Sequence, residues 1–135
     1  MKSPDAELSP CPCGSGKLFG ECCKPFLDGR DSPSTAEQLM RSRYTAFVLC
    51  DERYLRASWH PDSCPDEIEA CQDQIRWLGL RVKRTEKGND NDNVGLVEFV
   101  ARYKVDSRGY RLHEVSRFVR YEDKWVYKDG RLIEK

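Results

Sequence analysis

Residues 34–48, STAEQLMRSRYTAFV, carry the clearest helical pattern of the chain. Ser34 and Glu37 fit a capping box, in which the Ser34 hydroxyl bonds the Glu37 amide and the Glu37 carboxylate returns the bond. We therefore predict a first helix that starts at Ser34. Its apolar face, at helical spacing, would be formed by Ala36, Leu39, Met40, Arg43, Tyr44, Phe47 and Val48.

Two more helices are expected after this one. Asp51 can cap a short helix that ends at His60-Pro61, because the residue before a proline disfavours helical geometry. A third helix is expected from Pro65, since proline is favoured at the first helical position and two acidic residues follow it.

From about residue 75 the apolar period changes to two, which is typical of strands. Leu78, Leu80 and Val82 alternate with polar or small residues, and KGNDNDN at 87–93 predicts a loop. Helices followed by antiparallel strands with short turns predict an α+β fold, with the helices packed on a sheet of about four strands. The expected strands begin near residue 75 and at Val97, Tyr110 and Trp125.

Composition narrows the class of protein. Basic and acidic residues number 23 each, so charge gives no reason to expect nucleic acid or a membrane surface as partner. A basic strand around Trp77 is compatible with a contact to RNA, but acidic residues balance it overall, so we do not expect a nucleic-acid partner. The start, MKSPDAELSP, has no apolar run, and AFVLC at 46–50 is too short to span a bilayer. We expect a cytoplasmic protein with reduced thiols, where clustered cysteines more often bind metal than form disulfides.

Four of the seven cysteines follow the pattern C-x-C-x8-C-C around a glycine-rich turn: Cys11, Cys13, Cys22 and Cys23. Four thiolates match the tetrahedral preference of zinc, and a site closed by four ligands favours a structural role. Two disulfides, a redox centre or an iron–sulfur cluster are the alternatives. GSGK lacks the residues that a phosphate loop requires at positions 11 and 18. We predict one structural zinc ion. The other cysteines, Cys50, Cys64 and Cys71, are expected to be small apolar residues.

Proline and glycine concentrate before residue 33, where the composition changes. We divide the chain into a tail (1–9), a cysteine module (10–26), a linker (27–33) and a main domain (34–135).

The segment CPCGSGKLFGECC at 11–23 resembles the SEC-C motif, a zinc-binding module also found in the bacterial preprotein translocase motor ATPase, where it contacts a chaperone and the ribosome. The segments 34–61, 97–105 (VEFVARYKV) and 111–130 resemble the YchJ family. The resemblance implies a nuclear-transport-factor-2-like main domain, a curved sheet wrapped on helices to form a cone. It also implies a protein partner for the module.

Arg43 lies within the apolar face of the first helix, so it should meet a carboxylate or reach solvent. Glu98 or Glu114 is expected to supply a buried ion pair; an anion-binding arginine in a pocket is the alternative. His60 is either an acid or base near neutral pH or a helix C-terminal cap. The candidate pocket residues are Arg43, Tyr44, Trp59, His60, Glu98 and Glu114.

Two functions are compatible with these features. The first is a non-enzymatic zinc-binding adaptor that contacts another protein through the cysteine module. The second is a small-molecule-binding protein or an enzyme that uses the cone pocket. The sequence shows no nucleophile–base pair and no cofactor motif, which favours the adaptor.

Overall fold

The computed structural model describes residues 7–69, 71 and 74–133, so residues 1–6 of the expected tail lie outside it. The described residues form one antiparallel sheet in the order β1-β2-β3-β4, with short helices before it. This confirms the predicted α+β fold. None of the described helices has both the length and the apolarity that a bilayer span requires. The elements are α1 (Lys24–Leu27), α2 (Ala36–Val48), α3 (Glu52–Ala57), β1 (Ile75–Lys87), β2 (Val94–Val105), β3 (Arg108–Tyr121) and β4 (Lys124–Leu132).

Helix α2 starts two residues later than predicted, because Thr35 rather than Ser34 caps it. The Thr35 hydroxyl accepts a hydrogen bond from the Gln38 amide at 3.1 Å. The Ser34 amide in turn donates to the Gln38 side-chain oxygen at 2.8 Å. The two bonds are reciprocal, but the second involves the residue before the cap, whereas in a capping box it would involve the cap residue itself. The cap of α3 is confirmed, since the Asp51 carboxylate accepts a hydrogen bond from the Tyr54 amide at 3.0 Å.

One prediction for β1 is wrong: Leu78 does not share a face with Leu80 and Val82. The pairing register with β2 shifts between Trp77 and Gly79, which marks an irregularity in the strand. Leu78 is consequently 46% exposed, whereas Trp77 contacts the aromatic rings of Tyr44 and Tyr103. Strict alternation holds better in β2, where Val97, Phe99 and Ala101 are all buried.

The helix expected from Pro65 is also wrong for the residues that the structure describes, since 65–69 form bends and extended chain. Arg56 explains this arrangement. Its guanidinium donates to the carbonyl oxygens of Pro65 (3.5 Å) and Asp66 (3.0 Å). A side chain thus uses carbonyl groups that the first turn of a helix would have needed.

Two of the cysteines expected to be small apolar residues are bonded to each other instead. A disulfide joins Cys50, just after α2, to Cys71, in the segment before β1, with the Cα atoms 4.8 Å apart. The bond joins the C-terminal end of α2 to the chain that leads into the sheet. Cys64 is a free, partly exposed thiol.

The start of α2 rests directly on the β1–β2 hairpin. The Ala36 amide donates to the Gly88 carbonyl at 2.9 Å, and Gly88 has a positive φ of 81°. A Cβ placed on Gly95 would lie 2.6 Å from the Gly88 Cα and 2.9 Å from the Ala36 Cβ. Only glycine at position 95 lets the helix approach the hairpin this closely.

Replacing Gly95 by alanine should therefore separate α2 from the hairpin. We expect Gly95→Ala to lower the free energy of unfolding by about 1–3 kcal/mol, because the atoms in contact are mostly backbone and cannot rotate away. Gly109→Ala is the matched control, since a Cβ there meets no atom within 4 Å. Equal denaturation midpoints for the two variants would contradict the close approach.

Candidate metal centre and domain cavity

The four predicted ligands form one compact cluster. The sulfur atoms of Cys11, Cys13, Cys22 and Cys23 all lie within 4.8 Å of one another. Tetrahedral zinc with Zn–S bonds of about 2.3 Å places its sulfurs about 3.8 Å apart. The observed distances of 3.6 Å from Cys13 to Cys22 and 3.9 Å from Cys22 to Cys23 match that value. All four cysteines are free thiols, so the cluster can hold a metal ion.

A tight turn brings the two cysteine pairs together. The Cys11 amide donates to the Lys17 carbonyl at 2.9 Å, and Pro10 pairs with Leu18 in an antiparallel bridge. Between them, Gly14 and Gly16 have φ values of 78° and 89°, a region that glycine adopts without strain. The glycines of the motif therefore close the turn.

The cluster is packed against helix α2. Cys13 and Cys23 are fully buried, and the Thr45 hydroxyl of α2 donates to the Cys23 sulfur at 3.3 Å. Arg41, one turn earlier on the helix, donates to the Cys13 carbonyl at 2.8 Å. The cysteine module is therefore joined to the helix through polar contacts. The predicted boundary at residue 33 stays a prediction.

Hydrogen bonds among the thiols separate their acidities. The thiols of Cys11 and Cys23 hold the pKa of Cys13 well below its usual value. Burial raises the pKa of Cys22 to about 11, although the Ser15 hydroxyl, 3.1 Å from that sulfur, opposes the shift. Cys13 is therefore the thiol of this pair that loses its proton more readily.

A cavity of about 430 Å³ lies between α2 and the concave face of the sheet. Its volume falls in the usual range for small-molecule sites. The walls are mostly aromatic and aliphatic, and polar groups are few. The apolar walls include Phe47, Trp77, Phe99, Tyr103 and Leu112.

Four of the six candidate pocket residues line this cavity: Arg43, Tyr44, Trp59 and Glu114. The other two lie outside its lining. His60 donates its amide to the Tyr127 carbonyl at 2.8 Å and accepts the Asp62 amide on Nδ1 at 3.0 Å. Glu98 bonds His113 at 2.7 Å and Arg84 at 3.1 Å, and these neighbours hold the pKa of its carboxyl below the usual value.

The buried ion pair expected for Arg43 is absent among the described residues. Arg43 is 6% exposed and donates from Nη1 to the Leu55 carbonyl at 3.0 Å and the Ser58 hydroxyl at 2.8 Å. Glu114 instead accepts hydrogen bonds from Ser116 at 2.6 Å and Tyr127 at 3.1 Å. Burial lowers the pKa of Arg43 to about 10, so the side chain is still charged at neutral pH.

Sequence reasoning missed residues on both sides of α2. Thr45 and Arg41 were not singled out, although their spacing of four places them on one helical face. Ser116 and Tyr127 in the cavity come from β3 and β4 respectively, and a strand pattern alone does not indicate which face is concave.

Comparison with known proteins finds a matching family model for the main domain and a matching motif for the cysteine module. The family described as "YchJ, middle NTF2-like domain" matches residues 35–130, and the SEC-C motif matches residues 9–25. The chain belongs to the YchJ family. A UPF0225 protein of Ralstonia nicotianae is 50% identical over 138 residues, which cover 94% of both chains. A UPF0225 protein of Sodalis glossinidius is 48% identical, covering 93% of this chain and 84% of the relative.

Two solved structures share the fold of this YchJ-family chain. The solution structure of a SEC-C motif containing protein from Rhodopseudomonas palustris superposes with a TM-score of 0.81 at 32% identity, covering 92% of this chain and 98% of that one. The crystal structure of a SEC-C motif containing protein from Psychrobacter arcticus gives 0.76 at 27% identity, covering 96% and 86%.

The contacts of Arg43 predict how its replacement changes the free energy of unfolding. Arg43→Met should change the free energy of unfolding by less than about 1 kcal/mol, because it removes a buried charge and strands no carboxylate. Ser58 still donates to the carbonyl oxygens of Tyr54 and Leu55 after the change.

Denaturant midpoints of the wild type and Arg43→Met measure this difference. Leu39→Ala is the reference for a large effect, since Leu39 is 1% exposed and its truncation should cost about 2–5 kcal/mol. A loss of about 3–5 kcal/mol for Arg43→Met would indicate a broken ion pair and contradict the structure.

Proposed function

We propose that this YchJ-family protein binds a small molecule in the cavity of its NTF2-like domain, and that the cysteine module holds a structural zinc ion. The observation that carries the proposal is a cavity of about 430 Å³ whose apolar wall contains a buried arginine without an ion-pair partner among the described residues. If this part of the core served stability alone, an apolar side chain in place of Arg43 would make the protein more stable.

A neutral fluorescent probe tests the binding site. N-phenylnaphthylamine should bind saturably with one site per chain, because the cavity has the size and apolar wall of a ligand site. Ala101 is 1% exposed and lines the cavity, so Ala101→Phe should fill the space and abolish binding. Arg102→Phe adds the same ring at the neighbouring exposed position and should leave binding unchanged. Absence of saturable binding to the wild type would reject the proposal.

Zinc is the proposed metal because four thiolates at tetrahedral spacing form a closed site that suits a structural zinc ion. The contacts of Thr45 with Cys23 and of Arg41 with Cys13 support a structural role, since they connect the site to the main domain. In this role the ion contributes folding energy to the module.

Metal analysis of protein purified without chelator should find one zinc ion per chain. Cys13→Ser removes the most deeply buried ligand and should lower the zinc content to near zero, because structural sites need all four ligands. Cys64→Ser is the control, since this free thiol lies outside the cluster. Iron in place of zinc, or equal zinc in both variants, would contradict the assignment.

An adaptor role for the module is the second proposal. One observation favours it: three of the four ligands are buried, yet Lys17 and Glu21 of the intervening segment are exposed and available to a protein partner. The SEC-C match at residues 9–25 supports the same idea. A Lys17→Glu/Glu21→Lys variant that retains zinc should lose a partner captured by the wild type, whereas Ala101→Phe should retain it. A partner bound equally by all three proteins would not be using the module.

A further inference from the structure

The chemistry of the cavity wall around Arg43 indicates which class of molecule it binds. The two hydrogen bonds that Arg43 donates to described residues both leave from Nη1, towards Leu55 and Ser58. These bonds use carbonyl and hydroxyl oxygens, which carry no full negative charge. Nε and Nη2 donate to no described residue. The guanidinium is therefore anchored on one side and retains donors for a further acceptor.

Two aromatic rings fix the position of the same guanidinium. Its Cζ atom lies 4.6 Å from the Trp59 ring centroid and 4.7 Å from that of Tyr127. Such contacts stabilise a cation without neutralising it. The guanidinium is thus held in place before any ligand arrives, which reduces the entropy cost of binding.

Trp59 supplies a second unused donor on this wall. Among buried side-chain nitrogen and oxygen atoms of the described residues, the indole N–H of Trp59 is the one without a hydrogen-bond partner. A buried donor left unpaired costs free energy, so its presence calls for an explanation. Arg43 and Trp59 both line the cavity, and each has at least one N–H donor that no described residue accepts.

Glu114, together with Glu69 on the same cavity lining, limits how much negative charge a ligand can carry. The Glu114 Oε2 atom already accepts the hydroxyls of Ser116 and Tyr127, so it is held by β3 and β4. The carboxylate nonetheless lines the same cavity. A dianion such as a phosphate monoester would meet one cation, Arg43, and two repelling carboxylates, whereas a monoanion needs only the single counter-charge of Arg43.

We propose that the cavity takes a small monocarboxylic acid with an aromatic or aliphatic body, whose carboxylate pairs with Arg43. The inference rests on the small-molecule site proposed above. The carboxylate supplies the counter-charge that Arg43 lacks, and the apolar body packs against Phe47, Trp77 and Phe99. Charge-assisted hydrogen bonds to a guanidinium are stronger than neutral ones, which makes the carboxylate the selective group.

Naphthoate and naphthamide of the same ring isomer test the proposal, since they differ mainly in the charge of the head group. Each competes with N-phenylnaphthylamine for wild-type protein, and calorimetry gives its dissociation constant. We expect naphthoate to bind about tenfold more tightly than naphthamide, because both can accept a hydrogen bond from Arg43 but only the carboxylate also forms an ion pair with it.

Three variants assign the preference to residues. Arg43→Met should remove the tenfold preference by weakening naphthoate more than naphthamide. Glu114→Gln should tighten naphthoate, because a repelling charge is lost while an acceptor oxygen remains for Ser116 and Tyr127. Lys83→Met removes a positive charge from an exposed position of β1 and should change neither ligand.

The outcomes separate the two proposals. If the neutral probe binds but naphthoate is no tighter than naphthamide, the carboxylate inference fails and the small-molecule site stands. If none of the three molecules binds, the proposed function fails as well. A preference that survives in Arg43→Met would also overturn the inference. The acid–amide comparison on wild-type protein decides the matter even if that variant does not fold.

Discussion

Helix α2 lies between the cysteine cluster and the cavity, and the rest of the structure depends on its two faces. Thr45 on one face donates to the Cys23 sulfur, while Arg43, two residues earlier, lines the cavity on the other. A rigid helix transmits a displacement from one face to the other. The cysteine cluster is therefore packed against the helix whose opposite face carries Arg43, the only charged group of α2 in the described cavity lining.

Helix α2 also shows how buried polar side chains keep hydrogen-bond partners. Ser42 and Thr45 have no exposed surface, yet each has a partner: the Ser42 hydroxyl bonds the Leu39 carbonyl and the Tyr54 hydroxyl, and Thr45 bonds a cysteine sulfur. The cysteines also share one core with the apolar residues of the main domain. The module therefore contributes to the packing of the domain on which it lies.

The sequence predicted the parts that local patterns specify. Cys13 and its three partners were found by their spacing, and the strands by their alternation, because ligand spacing and strand period are visible in the chain itself. The predictions were wrong where a contact between residues that are distant in sequence determines the local structure. Pro65 does not start a helix because Arg56 takes its carbonyl, Leu78 is exposed by a register shift in β1, and Arg43 has ring and carbonyl partners in place of a carboxylate. No local pattern encodes such contacts.

Hydrogen exchange on zinc-loaded and chelator-treated protein tests most directly whether the metal site and α2 form one unit. Amides with slow exchange report local opening free energies along the chain. If the cluster holds α2 in place, metal removal will reduce protection in residues 10–27 and also through α2 around Thr45, and it will leave the β3–β4 hairpin protected. Loss of protection confined to residues 10–27, with α2 unchanged, would show an independent module and contradict the account.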